Sequence, residues 1–149
     1  MSDTDLPDGE HQTPAGVTDA TVEALGMLSE ALETVERARG HLYTFHQLTG
    51  EADLALGDAV DKLREAGHDD VARRISEDLV GRNVLPGRWT FQIVEDYDDG
   101  YWQVFRDHER SAREALAGGV RHLWEARMKQ ERRTRGRPGH EVAPGDADG

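Results

Sequence analysis

Apolar side chains recur along most of this chain at alternating spacings of three and four residues, and nowhere at a sustained two-residue alternation. Over about residues 18–48 the repeat runs Leu25, Leu28, Leu32, Val35, Arg39, Leu42 and His46, which is one face of an α-helix. Thr18 followed by Asp19 is a suitable N-cap, and Gly50 is the expected stop. A second helix is expected over about residues 51–66, with Ala52, Leu56, Ala59, Val60 and Leu63 on one face and Gly67 closing it. A third follows an Asp69 cap, gathers Val71, Ala72, Ile75, Leu79 and Val80, and stops between Gly81 and Asn83. Pro86-Gly87 makes the next turn, proline fixing the first central position and glycine accepting positive φ at the second.

The last segment, about residues 89–132, keeps helical phase through Ile93, Tyr97, Tyr101, Val104, Phe105, Leu116, Val120, Leu123 and Arg127. Gly100, Gly118 and Gly119 sit inside it at about 1 kcal/mol each relative to alanine, so a kink is expected near Gly118. Unbroken, such a helix would reach roughly 60 Å and overhang a monomeric bundle. Leu123, Trp124 and Met128 on the overhang predict a homodimer contact through the end of the last helix.

The pattern therefore predicts an all-α protein, an antiparallel bundle of about four helices with long first and last members, over residues 18–132. The acidic leader, residues 1–17, and the tail, residues 133–149, are rich in Asp, Gly and Pro and too poor in apolar groups to offset chain entropy, so both are expected to be disordered. Thirty acidic against eighteen basic side chains leave a formal charge of −12, which repels phosphate backbones and disfavours generic nucleic-acid binding by the bundle. The basic end, Arg127 to Arg137, is the one place where such binding finds support, and a solvated helix end whose cations complement the C-terminal dipole is the preferred account of it.

The chain has no cysteine, which excludes disulfide scaffolds, thiolate metal sites and cysteine nucleophiles. With no basic, apolar leader and no apolar run of roughly 20 residues, neither export nor membrane spanning is expected, and a cytoplasmic location is. Phosphate loops, nucleophile elbows, dinucleotide fingerprints and His-Glu-x-x-His are all missing.

Chemistry is drawn instead to two polar side chains on an aliphatic seam. A charge on such a seam costs several kcal/mol unless it is paired, so Arg39 and His46 need partners. If the first and last helices run antiparallel, His46 is expected near Glu95, and Arg39 near Asp98 or Asp99. These five are the candidate ligand or metal residues, with Tyr43, Arg88, Trp89, Tyr97 and Trp102 as the rim of a pocket. Two readings stay open. One is a His and carboxylate centre through His46, Glu95 and Asp99, or an imidazole and carboxylate acid/base pair. The other is an ion-pair network that fixes helix register. A di-iron bundle would require Glu-x-x-His repeats, and this chain holds only the reversed His122-x-x-Glu125. His108 and Glu109 are adjacent, so at most one faces the core, and the surface is the expectation for each.

The stretches ERARGHLYTFHQLTG, from Glu36, and VGRNVLPGRWTFQIVEDYDDGYW, from Val80, together with GRPGHE from Gly136, resemble a family of short uncharacterised actinobacterial helical proteins. The resemblance implies a bacterial, cytoplasmic setting, and the family has no established activity. The expected function is accordingly that of an interaction or scaffold protein. The alternative is a bundle that binds a metal or small ligand, with or without catalysis.

Overall fold

The computed structural model describes residues 12–141. Most of the leader and about half of the tail thus lie outside the described residues, and the expectation of disorder there with them. Among the described residues every regular element is helical: α1 (Asp19–Glu65), α2 (Asp69–Asp78), α3 (Thr90–Tyr97), a π-helical segment (Asp98–Trp102), α4 (Gln103–Ala117) and α5 (Leu123–Arg132). The expectation of an all-α chain with four helical stretches holds, but the boundaries between the stretches differ.

Gly50 does not stop the first helix. α1 runs on for 47 residues because its inner seam keeps phase across the glycine, through Thr49, Asp53, Leu56, Val60 and Leu63. One interior glycine costs about 1 kcal/mol, too little to interrupt such a run. The true stop is Gly67, at φ 88°. There the His68 amide donates to the Leu63 carbonyl at 2.8 Å, and the Gly67 amide to that of Arg64 at 2.9 Å. This is the paired C-terminal motif in which glycine takes the left-handed position. After α2, the Asp53 carboxylate accepts the Gly81 amide at 2.9 Å and ties the following loop to α1. At Pro86-Gly87 the expected turn forms, with Gly87 at φ 71° and the Arg88 amide bonded to the Leu85 carbonyl at 3.0 Å.

The expected single last helix is two helices. Between α4 and α5, Gly118, Gly119 and His122 all take positive φ, and the helix breaks instead of kinking. The unbroken run on which the anticipated overhang rested is absent. Burial explains why: Leu123 joins Val22 and Ala117 in a core cluster, with Val17, Leu25, Val120 and Trp124 packed around it.

The chain divides into two compact units. One combines the residues through Thr34 with those from Val104 onward, so it holds the first part of α1, α4 and α5, and its core is the cluster just named. Inside it, the Glu109 carboxylate faces Arg113 at 3.4 Å and accepts the Ser29 hydroxyl at 3.2 Å. Glu109 is thus not the surface residue that its polarity suggested. Arg127 reaches Asp19 at 3.1 Å, so one cation of the basic end is spent within this unit. The described part of the tail makes two turns, Arg137 bonding to Thr134 and His140 to Arg137.

The other unit, residues 35–103, holds the rest of α1 with α2, α3 and the π segment, and buries Val60, Ala72 and Val94. The π segment shifts the helical phase. Trp102 and Phe105 turn inward, whereas Tyr101 and Val104, expected on the seam, stand exposed.

Candidate functional site

Arg39, on the inner seam of α1, meets Asp98, the first residue of the π segment, through two nearly parallel hydrogen bonds. Nε donates to Oδ1 at 2.7 Å and Nη2 to Oδ2 at 3.0 Å. Tyr43, one turn along α1, closes the group: its hydroxyl accepts from Nη2 at 3.2 Å and lies 3.4 Å from Asp98 Oδ2. The Trp102 ring covers the guanidinium, 4.1 Å from ring centre to Cζ, and donates its indole N–H to Glu36 at 2.9 Å. Asp98 and Trp102, four residues apart at the two ends of the π segment, thus meet the same arginine.

The electrostatics follow from the geometry. The hydrogen bond from Arg39 holds the Asp98 carboxyl below its ordinary value, helped by the guanidinium charge and the Tyr43 hydroxyl, and opposed by burial. The same bond raises Arg39. Both side chains are about a quarter exposed or less, 26 % and 19 %. With two of its N–H groups on one carboxylate and two aromatic faces against it, Arg39 is a clasp between α1 and the π segment.

His46 lies elsewhere than expected. Its Nδ1 is 2.7 Å from the hydroxyl of Thr90, the first residue of α3, and Glu95 takes no part. Glu95 and Asp99 occupy exposed positions outside the clasp. Among the described residues no three His, Cys, Asp or Glu side chains converge in a way that could hold a metal ion. The arrangement through His46, Glu95 and Asp99 is therefore not formed. Of the rim residues, Tyr43 and Trp102 belong to the clasp, Tyr97 lies against Tyr101 with its ring tilted and the centres 5.8 Å apart, and Arg88 pairs with Asp96 at 3.1 Å. Trp89 packs edge-on against Phe91, 5.3 Å between ring centres.

Sequence reasoning missed Glu36 and Thr90. A signal for Glu36 existed: an inward indole N–H seeks an acceptor, and Glu36 is one helical turn before Arg39.

A second feature lies where α1, the loop after α2 and the start of α3 meet. It is an open groove of about 590 Å³. Leu56, Leu79, Val84 and Trp89 line it, with Arg82 and Asn83 at its edge. Arg82 is held there by Asp78 at 3.0 Å.

No known family profile matches the chain, and comparison with curated proteins and with solved structures returns no match.

Proposed function

We propose that this is a non-enzymatic helical interaction protein, and that its partner surface lies on the unit formed by residues 35–103. One imbalance carries the proposal. Among the described residues fifteen large apolar side chains stand exposed, and all but Met27, Val104, Leu116 and Met128 belong to that unit, which buries only Val60, Ala72 and Val94. A unit with far more apolar surface in water than in its core is completed by something else. The groove is the natural seat, because Trp89 and Leu79 are 58 % and 49 % exposed along it. A bacterial, cytoplasmic setting is part of the proposal and rests on the resemblance of the three quoted stretches. Leu123 and Trp124 are packed within the chain, so the end of the last helix loses two of the three side chains expected to form a dimer contact there.

The groove also supports a second reading, an amphipathic small ligand whose anionic end meets Arg82 and Asn83. The openness of the groove favours the first, since small-ligand sites enclose most of what they bind. Site-specific photo-crosslinking in cells separates them. A photoreactive residue at Leu79 or Val84 should give discrete protein adducts, and one at Leu116, equally apolar and exposed, should not. Adducts from Leu116 alone, or from none of the three, would reject the groove. A small molecule retained in native mass spectra and lost in Leu79→Lys would favour the second reading.

A further inference from the structure

On α1 a second stripe runs beside the inner seam. Ala38, His41, Phe45, Leu48, Ala52 and Ala55 are spaced alternately three and four apart, and every one is exposed. None carries a permanent charge, on a helix where acidic and basic residues are otherwise frequent. Phe45 and Leu48, 46 % and 57 % exposed, occupy its centre. A solvated face has no physical need for this spacing. A seam against another helix does, because alternate threes and fours average 3.5 residues per turn, the repeat that keeps two helices in register contact. The alanines flanking Phe45 and Leu48 let a second helix approach to the short end of interhelical distances, around 8 Å.

The edges of the stripe specify the partner. Along one edge, seven residues apart, lie Arg37, Thr44, Glu51 and Asp58, all exposed; along the other lie Val35, Leu42, Thr49 and Leu56 of the inner seam. A parallel copy would set Arg37 and Glu51 against the leucine edge. An antiparallel copy sets charged edge against charged edge, with Arg37 facing Asp58 of the second chain. It also places Phe45 opposite Leu48, His41 opposite Ala52 and Ala38 opposite Ala55, so bulky side chains meet each other only at the centre.

We infer that the partner of this α1 face is a second copy of the chain, packed antiparallel about a dyad between Phe45 and Leu48. The proposal goes beyond the groove, with which the stripe shares only Ala52. Analytical ultracentrifugation of the full chain tests it first. The expected result is twice the chain mass, falling to the single-chain mass in Phe45→Glu and in Leu48→Glu with helicity unchanged. The substituted side chains are exposed, so folding is not at stake. A single-chain mass for the parent protein across the micromolar range would overturn the proposal, as would a dimer that survives both substitutions.

Orientation is read independently, since the chain lacks cysteine. Ala38→Cys mixed with Ala55→Cys should form a disulfide-linked pair, whereas neither variant should link to itself. Self-linking of Ala38→Cys would mean a parallel seam and overturn the inference. The groove reading is untouched by Phe45→Glu and fails only if Leu79 and Val84 give no adducts, so the two can fail separately.

Discussion

Trp124 rests directly on Gly26: a β-carbon built at that glycine would stand 2.8 Å from both Cβ and Cγ of the indole side chain. These atoms sit next to the α5 backbone and cannot swing aside as the tip of a long side chain could. Gly26→Ala should therefore destabilise the protein by about 1–3 kcal/mol, although alanine is the better helix former by about 1 kcal/mol. Urea unfolding checks this. In a Trp124→Ala background the same substitution should become neutral or stabilising.

The Arg39 clasp makes a second prediction. Arg39→Ala leaves Asp98 without its two hydrogen bonds and should cost about 1–3 kcal/mol. Arg39→Lys should recover little, because an ammonium cannot hold both carboxylate oxygens or lie flat beneath Trp102. Quenching of Trp102 fluorescence would report the loss alongside thermal melting. Full recovery by lysine would show that charge alone matters.

Acid stability follows from Asp98. Its folded value lies below the ordinary aspartate value near 3.8, so it contributes stability that is present above that pH and disappears as the pH falls through the folded value. Between about pH 5 and about pH 2, melting temperature should drop more steeply in the parent than in Asp98→Asn, and the gap between them should close at the acid end. A constant gap across the range would remove Asp98 as the source.

His46 and Thr90 give a fourth. Thr90→Val keeps the shape and removes the hydroxyl, so it should cost about 1 kcal/mol by leaving the imidazole nitrogen unpaired. His46→Leu in that background should regain stability, because both members of the pair are then apolar. Elemental analysis of protein purified without chelators should find no stoichiometric iron, zinc or manganese. Metal lost in His46→Ala would reverse the structural reading of this pair.

Much of the clasp was legible because a charge on an aliphatic seam has few ways to exist. Arg39 required a carboxylate, and antiparallel pairing offered Asp98 or Asp99. The same argument misplaced His46 by more than a turn. Residue numbers across the antiparallel pair sum to a near constant, as Arg39 with Asp98 and Glu36 with Trp102 show, and that constant leads from His46 to Thr90. Without one fixed pair the constant was unknown. The continuity of α1 was hidden by Thr49 and Asp53, two polar residues on the inner seam beside Gly50. The break at Gly118 and Gly119 announced itself as an irregularity, but its extent depends on what Leu123 and Trp124 gain by packing against α1, which no local pattern contains.

The π segment gives the sequence two superposed reading frames. Tyr97, Tyr101 and Val104 spell one regular helical face, and Asp98, Trp102 and Phe105 spell another, offset by a single residue. The wide turn shifts the helix from the first frame to the second, and within it stands Gly100, where an added side chain would meet open space. Deleting that one residue would restore a uniform 100° step, with Trp102 and Phe105 falling where the first frame placed Tyr101 and Val104. Glu109 and Ala117 would then keep their inward positions, so the segment absorbs one inserted residue, a frameshift at the level of structure, not of coding, that deletion at this glycine would undo.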